Sequence, residues 1–120
     1  MKPMSRKTAI READKAFAKY IVARDKRCVT CGSPGNFGLD CSHVFRRSHY
    51  ATRWNVNNAY AQCRSCHFKH HNNSESWLLD YAERELGRPA YEVLRDLSNT
   101  LTHFKDYQIA EIARYFRSKV

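Results

Sequence analysis

The chain has 120 residues and a formal net charge of +9, with 28% charged and 42% apolar residues. This balance is typical of a folded chain with a modest core and excludes a disordered segment. No apolar run reaches the length of a membrane span, and no signal peptide is visible. We therefore expect a cytoplasmic protein with no membrane partner, folded as a single domain over residues 1–120.

The positive charge is concentrated in the first two thirds of the chain. Residues 1–27 carry nine Lys or Arg against three acids, residues 28–74 carry five against one, and residues 75–120 carry seven against eight. The middle block also holds five of the six histidines, and Asp40 is its single acid. A basic surface beside clustered histidines is typical of proteins that bind a phosphodiester backbone. Ordinary solubilising charge does not explain why the acids are segregated.

Apolar periodicity predicts a mostly helical α+β fold. A first helix is expected over residues 8–26, with Ala13, Phe17 and Ile21 on its apolar face. A short hairpin is expected within residues 37–45, and a basic loop over residues 46–53 follows it.

The second half of the chain is expected to be helical. A helix begins near Arg64 and carries a cluster of histidines. The spacing of apolar residues then predicts three C-terminal helices, over residues 74–86, from 89 to about 97, and from 106 onwards. We expect Val93 to face inward in the second of these helices.

Four of the five cysteines form two pairs of identical spacing. Cys28 and Cys31 form the first Cys-x2-Cys pair, and Cys63 and Cys66 form the second, with 31 residues between the pairs. In a reducing compartment such pairs are typical of metal ligands rather than disulfides. Two pairs can complete the sulfur tetrahedron of a structural Zn²⁺ site. Cys41 is left over and is expected to be a small buried side chain.

Polar residues between the cysteine pairs suit hydrolysis of a phosphodiester. That reaction needs a base to activate water and positive charge to stabilise the crowded phosphorus. His43, at the end of a predicted strand, is the candidate general base, and Asn58 is the candidate partner that holds its ring in one tautomer. Asp40 and His67 are candidate ligands of a catalytic divalent cation, Mg²⁺ or Mn²⁺.

Two further groups of side chains complete the candidate site. His71 lies one helical turn after His67, so it is a third candidate metal ligand. The sequence leaves open which imidazole of His67, His70 and His71 binds the ion. The candidate DNA contacts are Arg46, Arg47, Arg53, Arg64, Lys69 and His70.

At these residues the chain resembles the HNH branch of the His-Me finger (ββα-metal) nucleases. The resemblance rests on His43 at the end of the first strand, on Asn58 five residues before Cys63, and on His67 directly after Cys66. The chain is more closely similar to the NinG/Rap recombination proteins of lambdoid phages. The matching stretches are residues 16–25, 28–32, 40–43, 53–55 and 58–66.

The resemblance implies a fold, an activity and roles for individual residues. The fold would be a small ββα-metal unit with a four-cysteine zinc site over residues 28–73, flanked by an N-terminal helix and C-terminal helices. The activity would be metal-dependent cleavage of branched DNA, such as Holliday junctions and D-loops, during phage recombination. His43 would be the base, Asn58 its partner, and Asp40 and His67 would lie near the metal. Many HNH proteins carry an acid immediately before the histidine, where this chain has Ser42.

Three functions remain open from the sequence. The first is an endonuclease for branched DNA, and the second is an HNH endonuclease that nicks or cuts ordinary duplex DNA. The third is a zinc-knuckle protein that binds DNA without catalysis, because the basic surface alone suits that role. A homodimer is also expected, since enzymes that cut junctions often pair two active sites by two-fold symmetry.

Overall fold

The computed structural model describes residues 4–73 and 76–120, and the side chains of residues 71–73 and 76 lie outside the described part. The prediction of a mostly helical α+β chain with a small sheet is confirmed. The elements, in chain order, are α1 (Arg6–Asp25), β1 (Leu39–His43), α2 (Tyr50–Arg53), a 3-10 turn (Val56–Asn58), β2 (Ala59–Cys63), α3 (Arg64–Asn73), α4 (Ser76–Leu86), α5 (Arg88–Ser98) and α6 (Asp106–Arg117).

Helix α1 begins two residues earlier than its sequence pattern predicts. The hydroxyl of Ser5 accepts a hydrogen bond from the backbone N–H of Thr8 at 3.2 Å and so caps the first turn. The helix ends at Asp25, because Lys26 adopts a left-handed conformation with φ of 66°. The buried face of α1 consists of Ala9, Ala13, Ala16, Phe17 and Ile21.

The first part of the core lies between α1 and α6, the two ends of the described chain. Ile109, Ala113 and Phe116 of α6 are buried, as their spacing predicts. The rings of Phe17 and Phe116 meet edge to face, with centroids 5.0 Å apart. The apolar stripe of α6 is therefore used within the chain, against α1.

The two strands form an antiparallel pair in which Leu39 lies opposite Cys63 and His43 lies opposite Ala59. The prediction of a hairpin within residues 37–45 is wrong, because β1 pairs with β2 across a long connection. A turn over residues 35–38 precedes β1 and does not interrupt it. The Gly38 N–H closes this turn by donating to the Gly35 carbonyl at 2.9 Å. No second tight turn is available inside the segment to reverse the chain.

A second part of the core covers the other face of the sheet. Val44 and Tyr60 pack there against Leu78 and Ala82 of α4. The ring of Tyr60 meets that of Tyr81 edge to face at 4.9 Å. Helix α4 thus fixes the position of the sheet from the side opposite to α1.

Helix α5 departs from its predicted orientation at one residue. Leu94 and Ser98, four positions apart, form its buried face. Val93, which we expected to face inward, is 68% exposed. It lies outside the stripe that these two residues define.

The predicted basic loop over residues 46–53 ends in the short helix α2, which Asp14 ties to α1. The carboxylate of Asp14 accepts hydrogen bonds from Arg53 Nη2 at 2.6 Å and Nε at 3.0 Å, and from Trp54 Nε1 at 2.9 Å. Such a two-pronged charged contact is stronger than a neutral hydrogen bond. It fixes the backbone of Arg53 relative to α1.

Among residues 4–73 and 76–120, no helix has both the length and the apolar character that crossing a membrane requires.

Candidate metal centre and active site

The thiols of Cys28, Cys31, Cys63 and Cys66 lie within 4.8 Å of one another. The Sγ atoms of Cys31 and Cys63 are 3.8 Å apart. Four Zn–S bonds of about 2.3 Å define a tetrahedron with edges of about 3.8 Å, so the spacing fits the ion. The predicted four-cysteine cluster that could hold a structural metal such as zinc is confirmed.

Backbone contacts of the sheet bring the two cysteine pairs together. Strand β2 ends at Cys63, and α3 starts at the next residue, which places Cys66 in its first turn. The first pair is attached to β2 by a hydrogen bond from the Val29 N–H to the Ala61 carbonyl at 2.9 Å. Gly32, with φ of 77°, closes the first knuckle by donating its N–H to the Cys28 carbonyl.

The thiol cluster favours one thiolate and disfavours further ones. Burial raises the pKa of Cys28, but hydrogen bonds from the backbone of Cys31, Cys63 and Thr30 outweigh it and lower the value to about 6. Burial, followed by contacts with the other three sulfurs, raises the pKa of Cys66. A dication removes this conflict, because it stabilises all four thiolates together.

Cys41 takes no part in this cluster. It packs against the core between α1 and α6 but is only partly buried, whereas we expected a buried side chain. Burial raises the pKa of its thiol to about 12.

Asp40 and His67 form a pair on the face of the sheet that α3 covers. Asp40 Oδ2 lies 3.1 Å from His67 Nδ1, and Arg64 Nη2 lies 3.7 Å from Asp40 Oδ1. At 3.1 Å the Asp40 carboxylate and the His67 imidazole form a hydrogen bond, and these two groups are the candidate ligands on this face of the sheet.

His43 lies on the opposite side of β1, against α1. Its ring centroid is 5.8 Å from that of Phe17, and its Nε2 atom is 3.0 Å from the backbone carbonyl oxygen of Arg53. Because a carbonyl can only accept, Nε2 carries the proton in this hydrogen bond and Nδ1 is left as an acceptor. The geometry therefore selects one tautomer of the ring.

The ring of His43 is neutral at pH 7. Burial lowers its pKa to about 4, while the hydrogen bond to the Arg53 carbonyl opposes the shift and the charge of Arg47 adds to it. A neutral imidazole with one defined acceptor nitrogen is the form that a general base requires.

Asn58 has a different role from the one expected. It is fully buried, and its Nδ2 donates to the carbonyls of Phe45 at 3.1 Å and Thr52 at 2.9 Å. Its Oδ1 accepts from the Phe45 N–H at 2.9 Å. Asn58 thus pins the connection between the strands, and the Arg53 carbonyl is the group that orients His43.

The structure does not bring Asp40, His43 and His67 around one cation. Side chains three positions apart on a strand point to opposite faces, so Asp40 faces α3 while His43 faces α1. Within the described residues, the four thiols are the only group of three or more His, Cys, Asp or Glu whose ligand atoms lie within 4.8 Å of one another. Instead, Asp40 and His67 lie on one face of β1, and His43 lies on the other. We call these two groups the half-sites.

His70 is half-buried and contacts neighbouring side chains, whereas we expected it to contact a phosphate. Its Nδ1 lies 3.0 Å from Gln62 Nε2, which donates to it, and its ring stacks on Trp77 with centroids 4.8 Å apart. Burial, followed by the charge of Lys69, lowers the pKa of His70. A neutral, stacked ring is poorly suited to a phosphate contact. The side chain of His71 lies outside the described residues.

The predicted DNA-contacting cations divide into two groups. The Arg53 side chain is 12% exposed and bound to Asp14, so it serves the fold instead of meeting a phosphate. The exposed members of the set are Arg46, Arg47, Arg64 and Lys69. Arg47 also lies 3.8 Å from Asp14, with 62% of its side chain exposed.

Two groups near His43 escaped the sequence analysis. The Arg53 carbonyl carries no side-chain signal, so no pattern could reveal it. Asp14 could have been found, because it lies three residues before Phe17 and seven before Ile21, on the buried side of α1. An acid at such a position needs a partner.

Ser42 occupies the place where many HNH proteins carry an acid. Its hydroxyl is buried and has no hydrogen-bond partner among the described residues. It therefore offers no ligand to a cation in solvent contact, and Asp40 is the carboxylate on this face.

A family model described as bacteriophage lambda NinG protein matches residues 1–120 of the chain. The chain belongs to the NinG family. Searches of curated proteins and of solved structures gave no match.

This NinG family member should hold one zinc ion per chain through its thiols. Replacing Cys31 by Ala should abolish stoichiometric zinc and cost roughly several kcal/mol of unfolding free energy, because metal binding is coupled to folding. The measurements are elemental analysis of the purified protein and urea denaturation. Cys41→Ala, which removes the thiol outside the cluster, should keep the zinc. Full zinc content in Cys31→Ala would contradict the assignment.

His43 should make the stability of the protein fall in mild acid. Its pKa is about 4 in the folded protein, against about 6.5 in an unfolded chain. The unfolded state therefore binds more protons between these values, so stability present above pH 6.5 is lost as the pH falls towards 4. The loss should reach about 3 kcal/mol at most.

The control for this prediction is His43→Gln, whose amide can still donate to the Arg53 carbonyl but does not titrate. Urea denaturation of both proteins at a series of pH values, with zinc content monitored, isolates the contribution of His43. Identical pH dependence of the two proteins would show that the ring is not held neutral.

Proposed function

We propose that this chain is a metal-dependent DNA endonuclease of the HNH type that acts on branched DNA during phage recombination. The observation that carries the proposal is the neutral His43 ring, with Nε2 bound to the Arg53 carbonyl and Nδ1 left as a proton acceptor. Membership of the NinG family supports a role in phage recombination.

His43 would take the proton from the water that attacks phosphorus. A pKa of about 4 keeps the free ring unprotonated at neutral pH. A bound phosphodiester would raise this pKa, because its negative charge stabilises the imidazolium form. The base would thus gain proton affinity when substrate is present, which is when a proton must be accepted.

Asp40 and His67 would hold the catalytic Mg²⁺ or Mn²⁺ on the other face of β1. When bound, such a cation supplies positive charge that stabilises the phosphorane and the leaving oxygen. Arg64, an exposed side chain that lies 3.7 Å from the second oxygen of Asp40, adds a positive charge beside the pair. The side chains of this half-site would therefore bind and orient the phosphate and would not abstract the proton.

The two half-sites face opposite sides of β1, and His43 and Asp40 are three residues, about 10 Å, apart along the strand. In an in-line displacement, the attacking and leaving oxygens lie on opposite sides of phosphorus. The proposal therefore requires DNA and the cation to bring His43 and the pair of Asp40 and His67 to opposite sides of the same phosphate. The exposed Arg46 and Arg47, in the connection that follows His43, would bind the flanking backbone.

The proposal predicts cleavage that depends on both the divalent ion and His43. Zinc-loaded protein with Mg²⁺ or Mn²⁺ should cut a labelled four-way junction faster than a linear duplex of equal length. His43→Gln should lower the rate by at least about a hundredfold, because proton transfer by a positioned base contributes on this order or more. Initial rates on denaturing gels give the comparison, and zinc content and DNA affinity should be retained.

His103→Ala is the matched control, because this exposed histidine precedes α6 and lies far along the chain from the strands. It should cut at the wild-type rate. Equal rates on junction and duplex would favour an HNH endonuclease for ordinary duplex DNA. DNA binding without cleavage under either ion would overturn the nuclease proposal and support a zinc-knuckle binding protein.

A further inference from the structure

Helix α3 has two faces of different chemistry. Its inner face carries Cys66, His67 and His70, which contact the thiol cluster, Asp40 and Gln62. The outer face carries Arg64, Ser65, Phe68 and Lys69, which are all exposed. Phe68 has 71% of its surface exposed to solvent, between two cations. Packing among the residues that the structure describes does not account for an aromatic ring at this position.

A second exposed ring lies in the turn that precedes β1. Phe37 is 86% exposed, and the turn that carries it is closed by the hydrogen bond between Gly38 and Gly35. Gly35 has φ of 75°, and a Cβ there would lie 2.7 Å from Leu39 Cδ2. The turn therefore requires glycine, and its tight shape holds Phe37 away from the core.

The register of the sheet places the two segments that carry these rings at the same end of the sheet. Leu39, at the start of β1, lies opposite Cys63, at the end of β2. The turn with Phe37 leads into β1 at this end, and α3 with Phe68 leaves β2 at the same end. The pair of Asp40 and His67 lies here too. The segments that carry the two exposed rings therefore adjoin the end of the sheet where Asp40 and His67 lie.

The positive charge around these rings indicates a nucleic-acid partner. The chain has no acid between residues 41 and 74, and Arg64 and Lys69 share the outer face of α3 with Phe68. Proteins that bind single-stranded nucleic acid combine cations along the backbone with aromatic rings on which bases stack. In a duplex the base faces are covered by neighbouring pairs, so a ring can stack only where bases are unpaired.

We propose that Phe68 and Phe37 stack on unpaired bases of DNA, while Arg64 and Lys69 contact the adjacent phosphates. The inference rests on the proposed function, because it assigns the source of a preference for branched DNA over plain duplex. The rings would recognise the unpaired bases at a branch and bring the neighbouring phosphodiester to β1.

The test measures binding separately from cleavage. In a His43→Gln background without added divalent ion, fluorescence anisotropy gives the affinity for a single strand, a duplex with a single-stranded arm, and a blunt duplex. Adding Phe68→Ala should weaken binding to the first two by about tenfold or more, the usual order for loss of one stacked base. Binding to the blunt duplex should change little, and Phe37→Ala should show the same selectivity.

Three further variants make the result specific. Phe68→Trp keeps a stacking surface and should retain single-strand affinity. Tyr107→Ala removes a ring on α6 that is 60% exposed and should change no affinity. Lys69→Ala should weaken binding to all three DNAs. It should also reduce the slope of log affinity against log salt concentration by about one.

Two results would overturn the inference. One is unchanged single-strand affinity in the variant that carries both Phe37→Ala and Phe68→Ala. The other is an equal loss on single strand and blunt duplex. If wild-type protein binds with the expected selectivity but never cuts DNA, the stacking assignment holds and the nuclease proposal fails.

Discussion

The four thiols are the constraint on which the arrangement of the candidate site depends. They join the knuckle of Cys28 and Cys31 to the end of β2 and the first turn of α3. A sheet of two five-residue strands is marginal on its own. The cluster fixes where β2 ends and where α3 begins, and it thereby places His67 beside Asp40. The metal-binding residues therefore shape the site without taking part in the proposed chemistry.

The sheet separates two environments, and β1 contributes to both. On one face, Cys41 and His43 meet the apolar side of α1, where burial keeps the imidazole neutral. On the other face, Asp40 meets the polar inner side of α3. Alternation along one strand thus places a neutral imidazole and a carboxylate close in sequence but on opposite sides.

The features that depend on local spacing could be predicted from the sequence. The two Cys-x2-Cys pairs predicted the thiol cluster, and the stripe of α6 predicted its buried residues. Both follow from backbone geometry over a few residues. The pairing of β1 with β2 could not be predicted in the same way, because the apolar pattern around β1 does not determine which distant segment it pairs with.

The contacts that define His43 were harder to predict for a related reason. The group that orients its ring is the backbone carbonyl of Arg53, and every residue type carries such a carbonyl. The role of Asn58 was misassigned because an amide can serve a ring or a backbone equally well, and only the tertiary structure decides. It binds Phe45 and Thr52 here. The sequence predicts Arg53 as a phosphate contact, but in the structure its guanidinium is bound to Asp14.

The most direct test of the account is the tautomer and pKa of His43, because the proposed base depends on both. Long-range nitrogen–proton NMR spectra of histidine-labelled protein, with His43→Gln used to assign the signals, would report both in the absence of DNA. The account predicts a ring that carries its proton on Nε2 and that titrates near a pKa of about 4. A ring that carries its proton on Nδ1, or that titrates with an ordinary pKa of about 6.5, would contradict it.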